Sequence, residues 1–358
     1  MSEEISVSSS KGIYHVQFGN SPTQFLHTKL ENRAIVVVDR KILELYPNIL
    51  SHSLFEKRLV LIEAIEENKT FKAAGDLLEH LLFLGLKRND LLVALGGGII
   101  QDLVSFTASV YMRGIEWHYV PTTLLSIADS CIGGKTSINL SFSKNTVGTF
   151  HPPSSVYVDL NFLKTLGRDE IQSGIGEMLH YFVYSGSPYL KKILEEYDSL
   201  FTNFELLKSY VKESLAIKKT VIEKDEFDQG ERRKFNYGHT FGHALEVASG
   251  FTIQHGQAVT IGMAIANRIS EHLDLLSKPK AERLNGILRK NFPAIDGNKL
   301  SITEFIDNLR KDKKNTGSKV TCILCRDFGK LEIKEIEIDQ NIKSCIEETL
   351  QSAGFSLF

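Results

Sequence analysis

The apolar residues in the first part of the chain fall into short uninterrupted runs. AIVVVD (residues 34–39), RLVLIEAIE (58–66) and LLVAL (91–95) predict strands, and the fully apolar ones suit parallel strands that are buried on both faces. Between the second and third runs, apolar side chains recur at helical spacing from Phe71 to Leu84. This alternation of strands and helices predicts an α/β layer built on a parallel sheet.

The pattern changes after Asp159, where helical spacing takes over. Residues 169–184 and 204–222 each predict a helix, whereas KVTCILC (319–325) has the alternation of a strand. The change places a domain boundary near residues 155 to 165. We therefore expect an α/β N-terminal Rossmann-like nucleotide-binding domain over residues 1–160 and an all-α C-terminal domain over residues 161–358.

Three consecutive glycines, Gly96 to Gly98, follow the LLVAL strand and open a helix whose first turn contains Asp102. Glycine lets a ligand approach the backbone closely, and a helix start offers free N–H groups and a positive dipole end to phosphate. The run is therefore a candidate cradle for a pyrophosphate group. It does not match the GxGxxG dinucleotide fingerprint, and a glycine run after a strand is often only a tight turn.

The segment from His118 to Leu166 is broken by glycine, asparagine and proline, and predicts a long loop with one strand, VYVDL (156–160). Long loops in compact domains usually carry function. Lys135, Lys144 and Asn145 could bind an anion such as phosphate, and Asp129 could hold a hydroxyl group. A lysine taken alone is more often a solvated surface charge.

The stretch RRKFNYGHTFGHALEVASGFTIQH (232–255) concentrates cationic side chains and histidines. His239 and His243 are four residues apart and share one face of a predicted helix, and His255 lies in a connection after it. Two neutral imidazoles and a carboxylate would make the C-terminal domain metal-binding, with an open zinc-type site. Glu177 is the candidate carboxylate because its neighbours are apolar, and a solitary buried carboxylate is costly without a cation. A helical histidine pair is also common as a purely structural feature.

Composition limits the classes of partner. A formal net charge of -2 over 358 residues gives no reason to expect nucleic acid or an anionic membrane. No apolar run is long enough to cross a bilayer, and the polar, acidic start MSEEISVSSSKG is unlike a secretory signal. The four cysteines do not suggest a disulfide framework. We expect a cytoplasmic protein.

Several short motifs occur in order along the chain: GGGIIQD, YMRG, PTTLL, ADSCIGGKTSIN, KNTVGTF, FLKTL, GEMLHY, KDEFDQGERRKFNYGHTFGHALE and DKKNTG. From about Val36 to about Gly329 they resemble the blocks of 3-dehydroquinate synthase and related sugar phosphate cyclases. The resemblance implies a lyase of the shikimate pathway of aromatic amino acid biosynthesis, dependent on NAD and on Zn²⁺ or Co²⁺. The reaction implied is conversion of 3-deoxy-D-arabino-heptulosonate 7-phosphate to 3-dehydroquinate and phosphate. An active site between the domains and a homodimer are implied as well.

The chemistry of that family explains why a metal and NAD occur together. NAD oxidises the hydroxyl at carbon 5, and the metal lowers the pKa of that hydroxyl. Phosphate then leaves by elimination, the hydride returns, and ring opening and an intramolecular aldol step close the carbocycle. NAD is recycled, so no net redox change is expected.

The resemblance assigns individual roles. The metal ligands would be Glu177, His239 and His255, while His243, which spacing alone pairs with His239, would handle protons beside the substrate. Phosphate would be bound by Lys135, Asn145, Lys313 and, from the neighbouring subunit, Arg113; the substrate carboxylate by Lys218 and Arg232; and the hydroxyls by Asn236 and Asp129. The NAD site would comprise Asp39, Glu66, Lys69, Gly97, Gly98, Asp102, Thr122, Thr123, Asp129, Lys135, Lys144, Phe162 and Thr165.

Three departures from the family pattern bear on the substrate, and one of them is Gln101, which precedes Asp102 where glycine is common. His180, counted here with the catalytic residues, stands where lysine is usual, and Gln257 replaces the usual glutamate after HG. The loss of a charged donor leaves sedoheptulose 7-phosphate and glucose 6-phosphate open as alternative substrates. Retention of Lys218 and Arg232 favours a substrate with a carboxylate, because two cations that converge without an anion repel each other.

Two other functions stay open. A metal- and NAD-dependent alcohol dehydrogenase of the glycerol dehydrogenase type would share the architecture but would not need Lys135 and Asn145. A non-catalytic binding protein on the same fold is the third alternative.

Overall fold

The computed structural model of the chain describes residues 3–31, 33–49, 58–140, 143–295, 297–310 and 319–358. The chain forms two compact units. The first comprises Met1–Leu166 with Lys219–Phe227, and the second comprises Gly167–Lys218 with Asp228–Phe358. The chain therefore returns briefly to the first unit before it completes the second.

The first unit is an α/β layer. Its elements are β1 (Glu3–Ser9), β2 (Gly12–Phe18), α1 (Pro22–Glu31), β3 (Ile35–Asp39), α2 (Arg40–Leu45), β4 (Leu59–Ile62), α3 (Phe71–Phe83), β5 (Leu91–Gly96), α4 (Gly98–Val110), β6 (Glu116–Pro121), β7 (Ile138–Leu140), β8 (Ser143–Val147) and β9 (Ser155–Val158). Seven strands form one sheet in the order β1-β2-β9-β6-β5-β3-β4. The β1–β2 pair is antiparallel, and the other pairs in this sheet are parallel. The predicted parallel α/β layer is confirmed.

The central strands carry the core of this unit. Val36 and Val38 of β3 and Val93 and Leu95 of β5 are fully buried, and they pack in one apolar cluster with Leu26 of α1. Strands covered on both faces need apolar residues at successive positions, which is why AIVVVD and LLVAL show no alternation.

The segment Lys219–Phe227 is held to the first unit by the end of β1 and the turn that follows it. The backbone N–H of Ser8 donates to Glu223 Oε1 at 2.8 Å, and that of Ser10 donates to Glu226 Oε2 at 2.7 Å. Phe227 lies edge-on to Phe150, with ring centroids 5.1 Å apart. Two carboxylates and one aromatic ring thus fix a segment that is distant in sequence.

The second unit is mainly helical. Its elements are α5 (Arg168–Ser185), α6 (Tyr189–Glu196), α7 (Phe204–Ile222, whose last residues belong to the first unit), α8 (His239–Ala248), α9 (His255–His272), α10 (Lys278–Arg289), β10 (Lys299–Leu300), α11 (Ile302–Arg310), β11 (Lys319–Asp327), β12 (Lys330–Glu337), α12 (Gln340–Ser352) and β13 (Ser356–Leu357). Within the described ranges, none of the helices has both the length and the apolar character required to span a membrane.

Three expectations need correction. The C-terminal unit is helical in its main part but not all-α, because β11 and β12 form an antiparallel hairpin that includes the predicted KVTCILC strand. The segment predicted as largely loop contains β6, a strand of the main sheet, as well as short β7 and β8. His255 does not lie in a connection: it is the first residue of α9.

Candidate functional site

Three helices of the second unit bring Glu177, His239 and His255 together. Glu177 lies within α5, and the two histidines are the first residues of α8 and α9. Each residue offers one ligand atom, and these atoms lie within 4.8 Å of one another. His255 Nε2 is 3.3 Å from Glu177 Oε1, and His239 Nε2 is 3.7 Å from Glu177 Oε2. The structure thus groups the three predicted metal ligands.

Glycines next to the ligands allow α5 and α9 to approach this closely. A Cβ on Gly176, the neighbour of Glu177, would lie 2.0 Å from Gly256 O, and a Cβ on Gly256 would lie 1.8 Å from Ser173 O. The Gly256 N–H also donates to Ser173 Oγ at 3.0 Å. Because the two backbones touch at this crossing, Glu177 and His255 face each other across it.

Glycines also allow α8 and α9 to cross closely. A Cβ on Gly262 would lie 2.0 Å from Gly238 O, and a Cβ on Gly242 would lie 2.9 Å from Val259 Cα. Gly238 has φ +84°, a left-handed conformation that glycine adopts without strain. This residue turns the chain directly before His239 and so sets where that ligand starts its helix.

The surroundings shift the pKa values of the three side chains in different directions. Burial raises the pKa of Glu177, but His239, His180 and His255 outweigh it and hold that pKa well below its usual range. Burial lowers the pKa of His239 to about 3, so this imidazole is neutral at pH 7. Burial also opposes charge on His255, but Glu246 and Glu177 raise the pKa of His255 well above its usual value. The cluster therefore presents an ionised carboxylate beside two imidazoles, one of which holds a proton that a bound cation would displace.

One buried atom indicates that a cation belongs here. Among the described residues, Glu177 Oε1 is buried and has no hydrogen-bond partner, although His255 Nε2 lies 3.3 Å from it. A carboxylate oxygen buried in this way costs free energy unless it meets a cation. Zinc bonds of about 2.0–2.1 Å in tetrahedral geometry place two ligand atoms roughly 3.3 Å apart. The spacing of Glu177 Oε1 and His255 Nε2 is 3.3 Å. The donor set fits a divalent ion of the zinc type with three protein ligands and an open position.

Glu246 belongs to this centre and was not predicted from the sequence. Its Oε2 lies 3.0 Å from His255 Nδ1, so the ring donates Nδ1–H to Glu246 and turns Nε2 towards Glu177. A carboxylate behind a metal-binding imidazole fixes the tautomer and the ring orientation. Glu246 follows His243 by three residues and His239 by seven, and this helical spacing was the available signal.

His243 stands beside the cluster without joining its three ligands. Its ring centroid is 5.5 Å from that of His239 and 5.6 Å from that of His255, and its side chain is exposed. His243, Glu246 and His255 form a second possible metal-binding group, and within it His255 Nδ1 lies 3.0 Å from Glu246 Oε2. The group predicted from the sequence is the one formed by Glu177, His239 and His255.

His180 is buried against the metal cluster. It is 1% exposed, and its Nε2 lies 2.9 Å from Glu177 Oε2. The side chain thus contacts a predicted metal ligand directly.

In the first unit, polar residues gather at the carboxyl edge of the parallel sheet. Asp39 ends β3, Glu66 follows β4, Gly97 follows β5, and Thr122 and Thr123 follow β6. Parallel neighbours in one sheet bring their carboxyl ends to a common edge, where open α/β sheets bind their ligands. These five of the predicted NAD residues therefore share one edge of the sheet.

The glycine run opens this edge to a ligand. Gly97 has no room for a side chain, since a Cβ would lie 2.9 Å from Thr123 Cγ2. A Cβ on Gly98, the first residue of α4, would have no atom within 4 Å. The space beside the first residue of α4 is therefore open, and the N–H groups of a helix start suit a pyrophosphate.

A buried ion pair lies behind that helix start. Lys69 Nζ donates to Asp102 Oδ2 at 3.0 Å and to Asn145 Oδ1 at 2.6 Å. Burial raises the pKa of Asp102, and Lys69 opposes that rise. Asn145 has φ +53°, and its backbone N–H donates to Asn139. Strand β8, which contains Asn145, is thus tied to β7 and to Lys69.

The remaining predicted residues are placed as follows. Lys144 Nζ is 3.9 Å from Glu66, Lys135 is exposed, and Asp129 lies in a single π-helical turn, Ser126–Ser130. Phe162 is in the apolar core, and the Thr165 hydroxyl hydrogen-bonds Tyr46. Lys218 and Arg232 are 6% and 5% exposed, Asn236 donates to Arg233 O, and Arg113 is exposed with φ +68°. Lys313 lies outside the described residues.

Comparison with protein families and curated proteins gave consistent matches. Residues 59–173 match the family described as 3-dehydroquinate synthase N-terminal, and residues 174–315 match 3-dehydroquinate synthase C-terminal. The 3-dehydroquinate synthase of Helicobacter pylori strain G27 is 34% identical over 333 residues, or 92% of this chain and 94% of that protein. That of Alkaliphilus metalliredigens strain QYMF is 33% identical over 342 residues, or 93% and 95%.

Solved structures share the fold. A 2-deoxy-scyllo-inosose synthase complexed with carbaglucose-6-phosphate, NAD+ and Co2+ superposes with a TM-score of 0.85 at 22% identity, covering 97% of this chain and 100% of that one. The 2-epi-5-epi-valiolone synthase of Streptomyces hygroscopicus subsp. jinggangensis 5008, with NAD+ and Zn2+ bound, gives 0.81 at 23% identity, covering 95% and 96%. Glycerol dehydrogenase from Schizosaccharomyces pombe gives 0.61 at 13% identity, covering 99% and 91%.

Proposed function

The chain belongs to the 3-dehydroquinate synthase family, and we propose that it converts 3-deoxy-D-arabino-heptulosonate 7-phosphate to 3-dehydroquinate and phosphate. The observation that carries the proposal is the metal centre of Glu177, His239 and His255, with one buried carboxylate oxygen left for a cation. The open space beside the start of α4, at the sheet edge lined by five of the predicted NAD residues, supports it.

The two bound groups would supply the redox and acid chemistry. When bound, NAD supplies a reversible hydride acceptor, and Zn²⁺ or Co²⁺ supplies a Lewis acid that makes a substrate hydroxyl more acidic. Glu177, His239 and His255 would hold the ion. Asp39, Glu66, the start of α4 and Thr122 with Thr123 would hold the cofactor.

The protein's own contribution is mainly to position the substrate. We assign the phosphate group to Lys135, Asn145 and Lys313, with Arg113 of the partner subunit in a homodimer. The substrate carboxylate is assigned to Lys218 and Arg232, both of which are buried. Asp129 and Asn236 are assigned to the hydroxyls, and His243, exposed beside the metal cluster, to proton transfer.

A phosphate-release assay tests this proposal. The protein is loaded with Zn²⁺ and NAD and offered the heptulosonate phosphate, sedoheptulose 7-phosphate and glucose 6-phosphate in separate reactions, with product masses recorded. We expect phosphate release with the heptulosonate and a product with the mass of dehydroquinate. Binding of NAD and metal without release from any of the three substrates would refute the proposal.

His180 favours a second candidate function, which is that of a cyclase acting on a sugar phosphate without a carboxylate. The family's usual lysine would offer a charged donor to the substrate, whereas His180 is 1% exposed and directs Nε2 to Glu177. The structural similarity to 2-deoxy-scyllo-inosose synthase supports the same candidate at the level of fold. Release from sedoheptulose 7-phosphate or glucose 6-phosphate alone would select it over dehydroquinate synthesis.

One variant distinguishes a cyclase from a dehydrogenase of the glycerol dehydrogenase type. Lys135→Met should abolish phosphate release if Lys135 binds the phosphate group, because a cation contributes strongly to holding an anion of this charge. Lys290→Met is the matched control, since both lysines are exposed and Lys290 lies at the end of α10. Equal activity of the two variants towards the phosphorylated substrate would contradict the cyclase assignment.

A further inference from the structure

His180 makes a single polar contact with the metal cluster. It lies one helical turn after Glu177 on α5, and its Nε2 is 2.9 Å from Glu177 Oε2. An ionised carboxylate can only accept hydrogen bonds, so Nε2 carries the proton and donates it. Among the described residues, His180 Nδ1 is buried and has no hydrogen-bond partner. The hydrogen bond to Glu177 is thus the polar interaction that the ring makes in the described part of the chain.

Aromatic side chains hold the His180 ring in this position. Its centroid is 3.9 Å from that of Tyr181 and 6.0 Å from that of Phe235, and it lies edge-on to His239 at 5.4 Å. Tyr181 and Phe235 also pack edge to face at 4.7 Å. A ring enclosed in this way cannot reorient without moving its neighbours, so the direction of its N–H is fixed.

The hydrogen bond makes the two carboxylate oxygens of Glu177 inequivalent. Oε2 is occupied by His180, whereas Oε1 accepts no hydrogen bond from the described residues and lies 3.3 Å from His255 Nε2. We propose that His180 is a positioning residue that holds Oε2 and thereby restricts Glu177 to binding the divalent ion through Oε1 alone. The inference rests on the metal centre of the proposed function, and it defines a role for the residue that departs from the family pattern.

Three variants of His180 test whether the position of the N–H donor matters, or only the presence of a side chain. In His180→Gln the amide nitrogen reaches about as far as Nε2, in His180→Asn it reaches only about as far as Nδ1, and in His180→Leu no donor remains. Zinc affinity is measured by competition with a chromogenic chelator, and the visible spectrum of the Co²⁺ form reports coordination geometry. Circular dichroism of each metal-free variant checks the fold.

We expect His180→Asn and His180→Leu to bind zinc about 10–100-fold more weakly than the parent, and His180→Gln to stay within about threefold. Release of Oε2 should allow both oxygens of Glu177 to bind, so the Co²⁺ bands of the Asn and Leu variants should weaken as the coordination number rises. The Gln variant should keep the parent spectrum.

Unchanged zinc affinity and unchanged Co²⁺ bands in a folded Asn or Leu variant would overturn the inference, as would equal effects of Asn and Gln. If the Leu variant does not fold, the comparison of Asn with Gln decides alone. Substrate is absent from these measurements, so their outcome is independent of the phosphate-release assay. A parent protein that binds neither Zn²⁺ nor Co²⁺ would overturn the inference and the proposed function together, whereas metal binding without phosphate release would overturn only the latter.

Discussion

Replacing Gly256 by alanine should disrupt the metal centre without changing any ligand. A Cβ at this position would lie 1.8 Å from Ser173 O and 2.6 Å from Ser173 C, and both of those atoms are backbone. An ordinary contact needs about 3.4 Å, so α5 and α9 would have to separate by roughly 1.5 Å. Strain of this kind in a packed crossing costs about 1–3 kcal/mol.

The separation acts directly on the ligands. Glu177 Oε1 and His255 Nε2 are 3.3 Å apart across the same crossing, and His255 is the residue before Gly256. Moving them to about 5 Å would prevent both from binding one tetrahedral ion at bond lengths of about 2.0–2.1 Å. We expect the zinc affinity to fall by more than about 100-fold, beyond the effect of losing an outer partner of a ligand.

The matched control is Gly286→Ala on α10, where a Cβ would have no atom within 4 Å. This variant should be more stable than the parent by about 0.5–1 kcal/mol, because alanine favours a helix over glycine. Zinc titration against a chelator and thermal unfolding of the metal-free proteins measure both effects. A folded Gly256→Ala variant that binds zinc as tightly as Gly286→Ala would refute the argument that the glycine crossing sets the ligand spacing.

Three further predictions concern the side chains of Glu246, Gln257 and His118. Glu246→Ala should weaken zinc binding by about 10–100-fold in chelator competition, because His255 loses the acceptor that orients its ring. Gln257→Glu should lower the melting temperature at a cost of about 1–3 kcal/mol, because Gln257 Nε2 donates to Asp169 and Gln172 at 3.3 and 3.1 Å and a carboxylate there would face two acceptors. His118→Asn should make the folding stability less sensitive to acid, because burial lowers the pKa of His118 to about 3. A histidine depressed in the folded state loses stability as the pH falls from about 6.5 towards 3, by up to about 1.4 kcal/mol per pH unit, so urea unfolding of parent and variant should diverge below about pH 6.5.

Each of these predictions has a contrary result. Zinc affinity of Glu246→Ala equal to the parent's would mean that the α8–α9 crossing alone orients His255. An unchanged melting temperature for Gln257→Glu would mean that the glutamate enters protonated. Parallel stability curves of parent and His118→Asn between pH 7 and pH 4 would show that His118 is charged in the folded protein.

The sequence predicted those parts of the structure that depend on local pattern. Apolar runs identified β3 and β5 because a strand covered on both faces has no polar alternation. Glu177 could be singled out because a carboxylate among apolar neighbours needs a cation. The pairing of Glu177 with His255 came from the family resemblance, since spacing alone would have joined His239 to His243.

What the sequence did not predict depends on contacts between distant residues. Strand β6 was missed because its residues begin a segment that is broken by glycine, asparagine and proline. Buried His118 of this strand has its partner on a later strand, where Ser155 lies 2.7 Å from His118 Nδ1. The glycine crossings were missed because they join distant residues. Nothing near Gly176 in sequence indicates that Gly256 will lie against it.

The return of Lys219–Phe227 to the first unit matters for how the protein is made. A ribosome completes all seven strands of the main sheet by Val158, but Glu223 and Glu226, which bind the end of β1 and the turn that follows it, are still to come. At about 5–20 residues per second, they follow roughly 3–14 seconds later. A fragment cut after Leu166 would lack both carboxylates, so the backbone N–H groups of Ser8 and Ser10 would lose the acceptors that they have in the whole chain.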